Sequence, residues 1–385
     1  MADRCDIAVV GGGVVGAAAA LALSRAGFDV QLIERGMPPA LPSEEYDPRV
    51  YAIAPSSAAL LRELDVWPQL PAQRLCAYQR MRVWESAPER ALAFDAADVG
   101  ESQLGWIAEQ SQLLAALWRA LPAGVARTNT SVDGASFEQG ALLQLSGGDL
   151  QARLVIAAEG AGSPLRERAG IVTTQREYEQ LALVAHVTTR EPHRGLALQR
   201  FLPGGPLAFL PLADGRRSIV WSLPVDEARR LQALPQDEFH QQLASAIQFE
   251  TGDIVDSTPR ALFPLRLMHA TEYVRDALAL VGDSAHVVHP LAGQGVNLGL
   301  ADVAELLRVL TGAREQRSDW AGARVLRRYE RARKAANLEM LALTDLLDRS
   351  FRSVVPGLPR VLDAGLALLD RIAPAKQALI RRALA

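Results

Sequence analysis

DIAVVGGGVVGAAAALALSRAGFDVQLIE, residues 6–34, opens the chain with three elements in close succession. Asp6 to Val10 reads as a short buried strand and Gly11 to Gly13 as a turn. Val14 to Ala26 reads as a helix rich in Ala and Leu, ended by Gly27, and Asp29 to Glu34 as a second strand. Strand, helix and strand at this spacing make a βαβ unit. The turn has the pattern Gly11-x-Gly13-x-x-Gly16, and Glu34 ends the next strand 18 residues after Gly16. Gly11 permits the tight turn, Gly13 lets the backbone approach a pyrophosphate, and Gly16 lets helix and strand pack closely. The helix N-terminus at Val14 and Val15 offers unpaired N–H groups and partial positive charge to a phosphate. Glu34, followed by Arg35, can accept from the ribose hydroxyls of an adenosine and disfavours a 2′-phosphate in that position. The turn by itself does not separate FAD from NAD, and an ordinary Gly-rich turn in an α/β protein is the bland alternative.

Working outward, 385 residues suggest about two to three domains. The composition is 49% hydrophobic and 22% charged, which excludes a disordered, collagen-like or coiled-coil chain. The net charge of −3 gives no bulk attraction to nucleic acid. Two cysteines, Cys5 and Cys76, make neither a disulfide framework nor a four-Cys zinc site, so a reducing compartment is expected. Val14 to Leu23 could imitate a signal-peptide core, but Asp3 and Asp6 occupy the place of its positive region. No apolar run reaches the ~18 residues of a membrane span, and a soluble cytoplasmic protein is expected.

Gly36 to Pro48 reads as a loop, Ser56 to Leu64 and Gln110 to Ala120 as helices, and Ala141 to Gly148 with Ala152 to Ala157 as a strand pair. Leu181 to Leu223 changes texture: LALVAHV, LALQRFL, LAFLPL and SIVWSL alternate with Pro/Gly turns, the pattern of an antiparallel sheet inserted in the α/β body. From Ala321 onward the chain reads as mostly helical.

A second Gly-rich segment, LALVGDSAHVVHPLAGQGVNLGLAD, occupies residues 278–302. A strand runs into Gly282-Asp283, and the chain turns through Pro290, Gly293 and Gly295 into a helix from Val296. A dehydrogenase needs no such segment, whereas a dinucleotide with a ribityl chain and a tricyclic ring does. Asp283 is placed for ribityl hydroxyls, Gly293 and Gly295 for close approach to a flat ring, and the helix N-terminus for negative charge at a ring edge. His286 and His289 lack a third ligand nearby, so loop hydrogen bonding and packing are expected and no metal is assigned. AAEGAGSPLR, residues 157–166, adds an acid-glycine pair, Glu159-Gly160, at a strand end.

Together, GGGVVG with Glu34, the Glu-Gly segment and GDSAHVVHPLAGQGVNLGLAD resemble the class A flavoprotein aromatic hydroxylases, and HPLAGQGVNLG resembles the branch that serves ubiquinone biosynthesis. Supporting stretches at 47–67, 108–121, 208–223 and 326–337 spread the resemblance over nearly the whole chain, with 181–223 and 326–337 most similar to the polyprenylphenol C5-hydroxylases. The resemblance implies a para-hydroxybenzoate hydroxylase-like α/β fold: a Rossmann-like FAD-binding domain (1–180 and 271–335), an inserted antiparallel-sheet substrate domain (181–270) and C-terminal helices (336–385). It implies FAD, NADPH or NADH as reductant and O2 as co-substrate, with a flavin C4a-hydroperoxide delivering oxygen to the ring of a polyprenylated phenol. Cofactor contacts then fall to Gly11, Gly13, Val14, Val15, Gly16, Glu34, Arg35, Arg49, Gln110, Glu159, Gly160, Gly282, Asp283, Pro290, Gly293, Gly295, Val296 and Asn297. Pro290, Gly293, Gln294 and Gly295 form the loop at the flavin ring, with no acid or base assigned. Phe209, Pro211 and Trp221 are candidates for the substrate wall, plain core packing being their alternative. The chain departs from the family in having Glu159-Gly160 where Asp-Gly is usual, and Glu109-Gln110 where Glu-Asn is usual.

From Arg349 to Ala385 the chain carries seven Lys/Arg and two Asp, with Leu and Ile at helical spacing. Such a basic amphipathic tail can lie on an anionic membrane face or pack on the body. Alternatives to the C5 step are the C1 or C6 step, a small soluble aromatic as substrate, a reductase or halogenase that shares the turn, and a flavin-binding scaffold in a ubiquinone-biosynthesis complex.

Overall fold

The computed structural model describes residues 2–137, 140–288, 295–352 and 377. Its first sheet is built around Asp3–Val10, whose Ile7, Ala8 and Val9 are fully buried. This strand pairs in parallel with Val30–Ile33 on one side and with Gly148–Ala157 on the other. Leu278–Leu280 and Ala126–Arg127 extend the parallel order outward, and Val274–Arg275 closes one edge antiparallel. Strands buried on both faces are continuously apolar, as IAVV (7–10) and LVIA (154–157) are. Helix Val14–Arg25 is buried almost all round because helix Gly295–Glu315 packs beside it. The hairpin Ala141–Leu145 and Gly148–Ala157 turns at Ser146-Gly147.

The second sheet has nine strands among the described residues and is largely antiparallel. Its centre is the strand Thr173–Thr189, paired with Ala261–Ala270 and Arg217–Pro224, and Gly205–Pro211 and Leu196–Leu202 follow. The boundary expected at residue 181 therefore lies earlier, since the strand carrying LALVAHV starts at Thr173. Two further strands, Arg80–Trp84 and Leu92–Asp95, come from the stretch allotted to the first domain, and His286–Val287 comes from the second Gly-rich segment. Edge strands gain from pairing wherever a partner of matching register is near, and chain distance does not enter.

Two helices, Val225–Ala233 and Gln236–Ala246, cover one face of this sheet. Their Leu231, Phe239 and Leu243 pack with Trp84, Leu183, Leu207, Phe209, Ile219 and Trp221. The other face, with Ala182, Val184, Ala208, Leu210 and Val220, looks toward the first sheet. Helix Pro55–Glu63, helix Gln110–Ala120 and helix Ala323–Arg352 complete the described body. Among the described residues no helix is long and apolar enough to cross a membrane.

Candidate active site

A cavity of about 410 Å³ lies between the two sheets, within the usual range of small-molecule sites. Gly13, Val14 and Val15 form one wall. Gly11 adopts φ +105°, and a Cβ there would stand 2.4 Å from the Ala158 carbonyl oxygen. A Cβ at Gly16 would lie 1.9 Å from the Gly11 carbonyl oxygen, so helix and turn touch only because residue 16 is glycine. Gly13 differs: nothing lies within 4 Å of its Cβ position. The helix begins after Gly13 with no side-chain cap. Its first-turn N–H groups lack intrahelical partners and aim at that open space, a cradle suited to a phosphate.

Glu34, just past strand Val30–Ile33, is tied to the turn. Its Oε2 accepts from the Gly12 N–H at 2.6 Å and its Oε1 from the Gly36 N–H at 2.8 Å. Trp118 Nε1 donates to the Gly12 carbonyl at 2.8 Å. The sequence reading missed Trp118, whose only signal was an indole on the helix that covers the turn. Arg35 is exposed and does not line the cavity.

The opposite wall carries Asp283, Gly295 and Val296. The Asp283 side chain projects into the cavity, accessible there but surrounded by protein, and burial raises its pKa. Gly282 has φ +57° and abuts Val15. Its N–H donates to Asp302 Oδ2 at 3.0 Å. Asp302 is fully buried and also accepts from His286 Nε2 at 2.6 Å, Arg333 Nε at 2.7 Å and Asn337 Nδ2 at 3.3 Å. Burial alone pushes the Asp302 carboxyl up, but His286 and Arg333 together outweigh it and hold the group below its ordinary range. This network was also missed; its one sequence signal is an acid within an otherwise apolar helix face, LGLADVAELL. His286 thus packs and hydrogen-bonds, as expected. Asn297 is not on the cavity wall. Its Nδ2 donates to the Ala52 carbonyl at 2.7 Å and its Oδ1 accepts from the Ala54 N–H at 2.9 Å, clamping strand Val50–Ile53 to the helix.

That strand supplies Tyr51, whose hydroxyl donates to Gln110 Oε1 at 2.8 Å; both line the cavity. Burial, and next the nearby Asp283 charge, raise the Tyr51 pKa. Arg49 lines the rim, its guanidinium 4.5 Å from the Phe263 ring centroid. Gly160 also lines the cavity. Glu159 points away: its Oε2 accepts from Ser163 Oγ at 2.6 Å and from the Leu165 N–H at 3.2 Å, at the start of the short helix Pro164–Arg168. Burial raises its pKa. Buried Arg166 joins the two turns, donating to the Ser284 and Ala161 carbonyls at 3.1 and 2.9 Å.

The inserted sheet contributes Ala208, Leu210 and Val220 to the cavity. The expected substrate residues are one position out of phase. Phe209 and Trp221 belong to the core beneath the covering helices, and by strand alternation Pro211 shares their face. Runs apolar on both faces leave parity undefined until the covering layers are known. Pro290, Gly293 and Gln294, with His289, lie outside the described residues.

A family model described as "FAD binding domain" matches residues 4–344. The chain belongs to this FAD-binding family. It is an FAD-dependent aromatic-ring hydroxylase. The hydroxylase is 37% identical to the 3-demethoxyubiquinol 3-hydroxylase of Escherichia coli (strain K12), over 98% of both chains. It is 33% identical to the mitochondrial ubiquinone biosynthesis monooxygenase COQ6 of Mus musculus, over 97% of this chain and 90% of that one. In fold it is similar to p-nitrophenol 4-monooxygenase PnpA from Pseudomonas putida DLL-E4, with TM-score 0.77, 18% identity, and coverage of 100% of this chain and 99% of that one. The cavity fits FAD: the open face at Gly13, the uncapped helix N-terminus and the carboxylate of Asp283 are a phosphate cradle and a hydroxyl acceptor lining one cavity. When bound, FAD supplies the redox chemistry and O2 activation that side chains cannot.

Proposed function

We propose that the hydroxylase acts on the ring of a polyprenylated phenol in ubiquinone biosynthesis, with NADH or NADPH as reductant and O2 as co-substrate. One observation carries this reading. The wall that faces the cofactor cradle across the cavity, Ala208, Leu210 and Val220, is apolar, which suits a phenol with a hydrocarbon tail rather than a charged small aromatic. In this reading Gly13, Val14 and Val15 bind the pyrophosphate, Glu34 the ribose and Asp283 the ribityl hydroxyls. Arg49 meets the pyrophosphate or the flavin edge. Gln110, held by Tyr51, Gly160 and Gly295–Val296 orient the ring system, and the sheet excludes water. Glu159 positions its turn through Ser163 instead of touching the cofactor. A peripheral contact of the C-terminal tail with the inner membrane face, and membership of a ubiquinone-biosynthesis complex, belong to the same reading.

The ring position is the C5 site in the first version of this proposal. A second version follows the name of the E. coli relative, a hydroxylation at ring carbon 3 of a demethoxyubiquinol. The test is an anaerobic NAD(P)H titration of the flavin-loaded protein, with and without each short-chain prenylated ring, followed by aerobic turnover and mass spectrometry. Flavin that bleaches faster with a prenylated ring, and a product heavier by one oxygen, support the reading. The ring that is converted selects between the versions. Stimulation by a small soluble phenol alone refutes both.

A further inference from the structure

On helix Ala323–Arg352, four arginines follow one another at positions 324, 327, 328 and 331. These spacings of three and four place them on one helical face. All four are exposed and line an open groove on the surface, outside the cavity described above. No carboxylate of a described residue forms an ion pair with any of them. By contrast, Arg308, Arg230 and Arg275 all meet a glutamate three residues away. The one acid inside the arginine run, Glu330, turns inward and accepts from the Tyr273 N–H at 2.8 Å. Seven residues after Arg331, on the same face, Leu338 is 44% exposed. The stripe therefore runs from unpaired guanidinium groups to an exposed leucine.

We propose that this stripe is a docking surface for the phosphate headgroups of an anionic bilayer. Guanidinium groups bind phosphate through paired N–H donors, and a row without internal counter-charge is left available for it. The leucine at the end of the row favours a lipid surface over an acidic protein, because it adds an apolar contact just below the headgroups. Chain that follows, residues 349–385, carries a net +5, so positive charge continues beyond the stripe. The inner face of the same helix abuts the site: Arg333 bonds Asp302, and Met340 packs on Val288, a cavity-lining residue. A bilayer held by the arginines would therefore lie against a helix that, further along, reaches the cavity lining, where a membrane-borne prenylated ring would be collected. This step rests on the substrate reading above.

The test uses full-length, flavin-loaded protein and co-sedimentation with vesicles of phosphatidylcholine, with and without phosphatidylglycerol, at low and high salt. The variant is Arg324→Gln, Arg327→Gln, Arg328→Gln and Arg331→Gln combined. Each basic residue near an anionic surface contributes about a fivefold factor, so the variant is expected to bind about 100-fold or more weakly. Wild-type binding should fade as salt rises. FAD content, unfolding midpoint and flavin reduction with a dispersed short-chain phenol should match wild type, which separates lost docking from misfolding. Equal binding by variant and wild type overturns the proposal. So do equal binding to neutral vesicles, loss of binding only when the basic residues of 349–385 are neutralised, or capture of polyglutamate by the arginines without vesicle binding. If vesicle binding depends on the stripe but no phenol alters flavin reduction, the docking surface stands and the substrate reading fails.

Discussion

Asp302→Asn tests whether the second Gly-rich turn is held from behind by a buried charge. Asp302 is fully buried and its two oxygens serve four donors: Gly282 N–H, His286, Arg333 and Asn337. The amide keeps the shape, removes the charge and replaces an acceptor with a donor. Breaking one partner of a buried ion pair costs about 3–5 kcal/mol, since the other is left buried without its counter-charge. Part of that cost falls on the Gly282-Asp283 turn and should appear as FAD affinity lower by about tenfold or more, 1.4 kcal/mol being a factor of ten. The assay is equilibrium FAD binding by flavin fluorescence together with urea unfolding. A double-mutant cycle with Arg333→Met isolates the pair, for which coupling of about 1–3 kcal/mol is expected. Unchanged FAD affinity and unfolding in Asp302→Asn, or additive effects in the cycle, would refute the reasoning.

Gly16→Ala and Gly13→Ala should part company. The first puts a methyl 1.9 Å from the Gly11 carbonyl oxygen and should lower the urea midpoint and abolish FAD uptake. The second meets nothing within 4 Å, so unfolding should be unchanged while FAD binding weakens. Phe209→Ala should destabilise by about 3–5 kcal/mol with little change in KM for the phenol, as a core position would. Val220→Phe should raise KM while leaving the unfolding midpoint near wild type. Burial, with the nearby His286 and Lys334 charges, lowers the His269 pKa to about 4. The unfolded chain then takes up that proton first as pH falls. This contribution is complete above about pH 6.5 and is lost on acidification toward pH 4, by up to about 3 kcal/mol. His269→Gln should flatten the urea-midpoint profile in that window, and an unchanged slope would assign the acid lability elsewhere.

Local chemistry was legible along the chain. The turn Gly11 to Gly16, the strands that flank it, the helices at 55–63 and 110–120 and the glycine turn at 282 each depend on residues within one turn or strand of themselves. Backbone sterics act at that range, so spacing alone identifies them. The family resemblance added the cofactor and the reaction class, which the matched family model and relatives bear out. Four things needed the folded molecule. Arg80–Trp84 joins the far sheet by pairing with Leu196–Leu202, more than 100 residues away, and brings Leu92–Asp95 with it as the next strand. Phe209 and Trp221 face the core and not the cavity, because the helices at 225–246 cover that side. Glu159, one methylene longer than the usual Asp, reaches Ser163. Asp302 meets Arg333 only once the C-terminal helix is laid across the Gly-rich segment. A sequence states which residues can turn, alternate or carry charge, whereas which face is covered and which charges meet depend on layers brought together from distant parts of the chain.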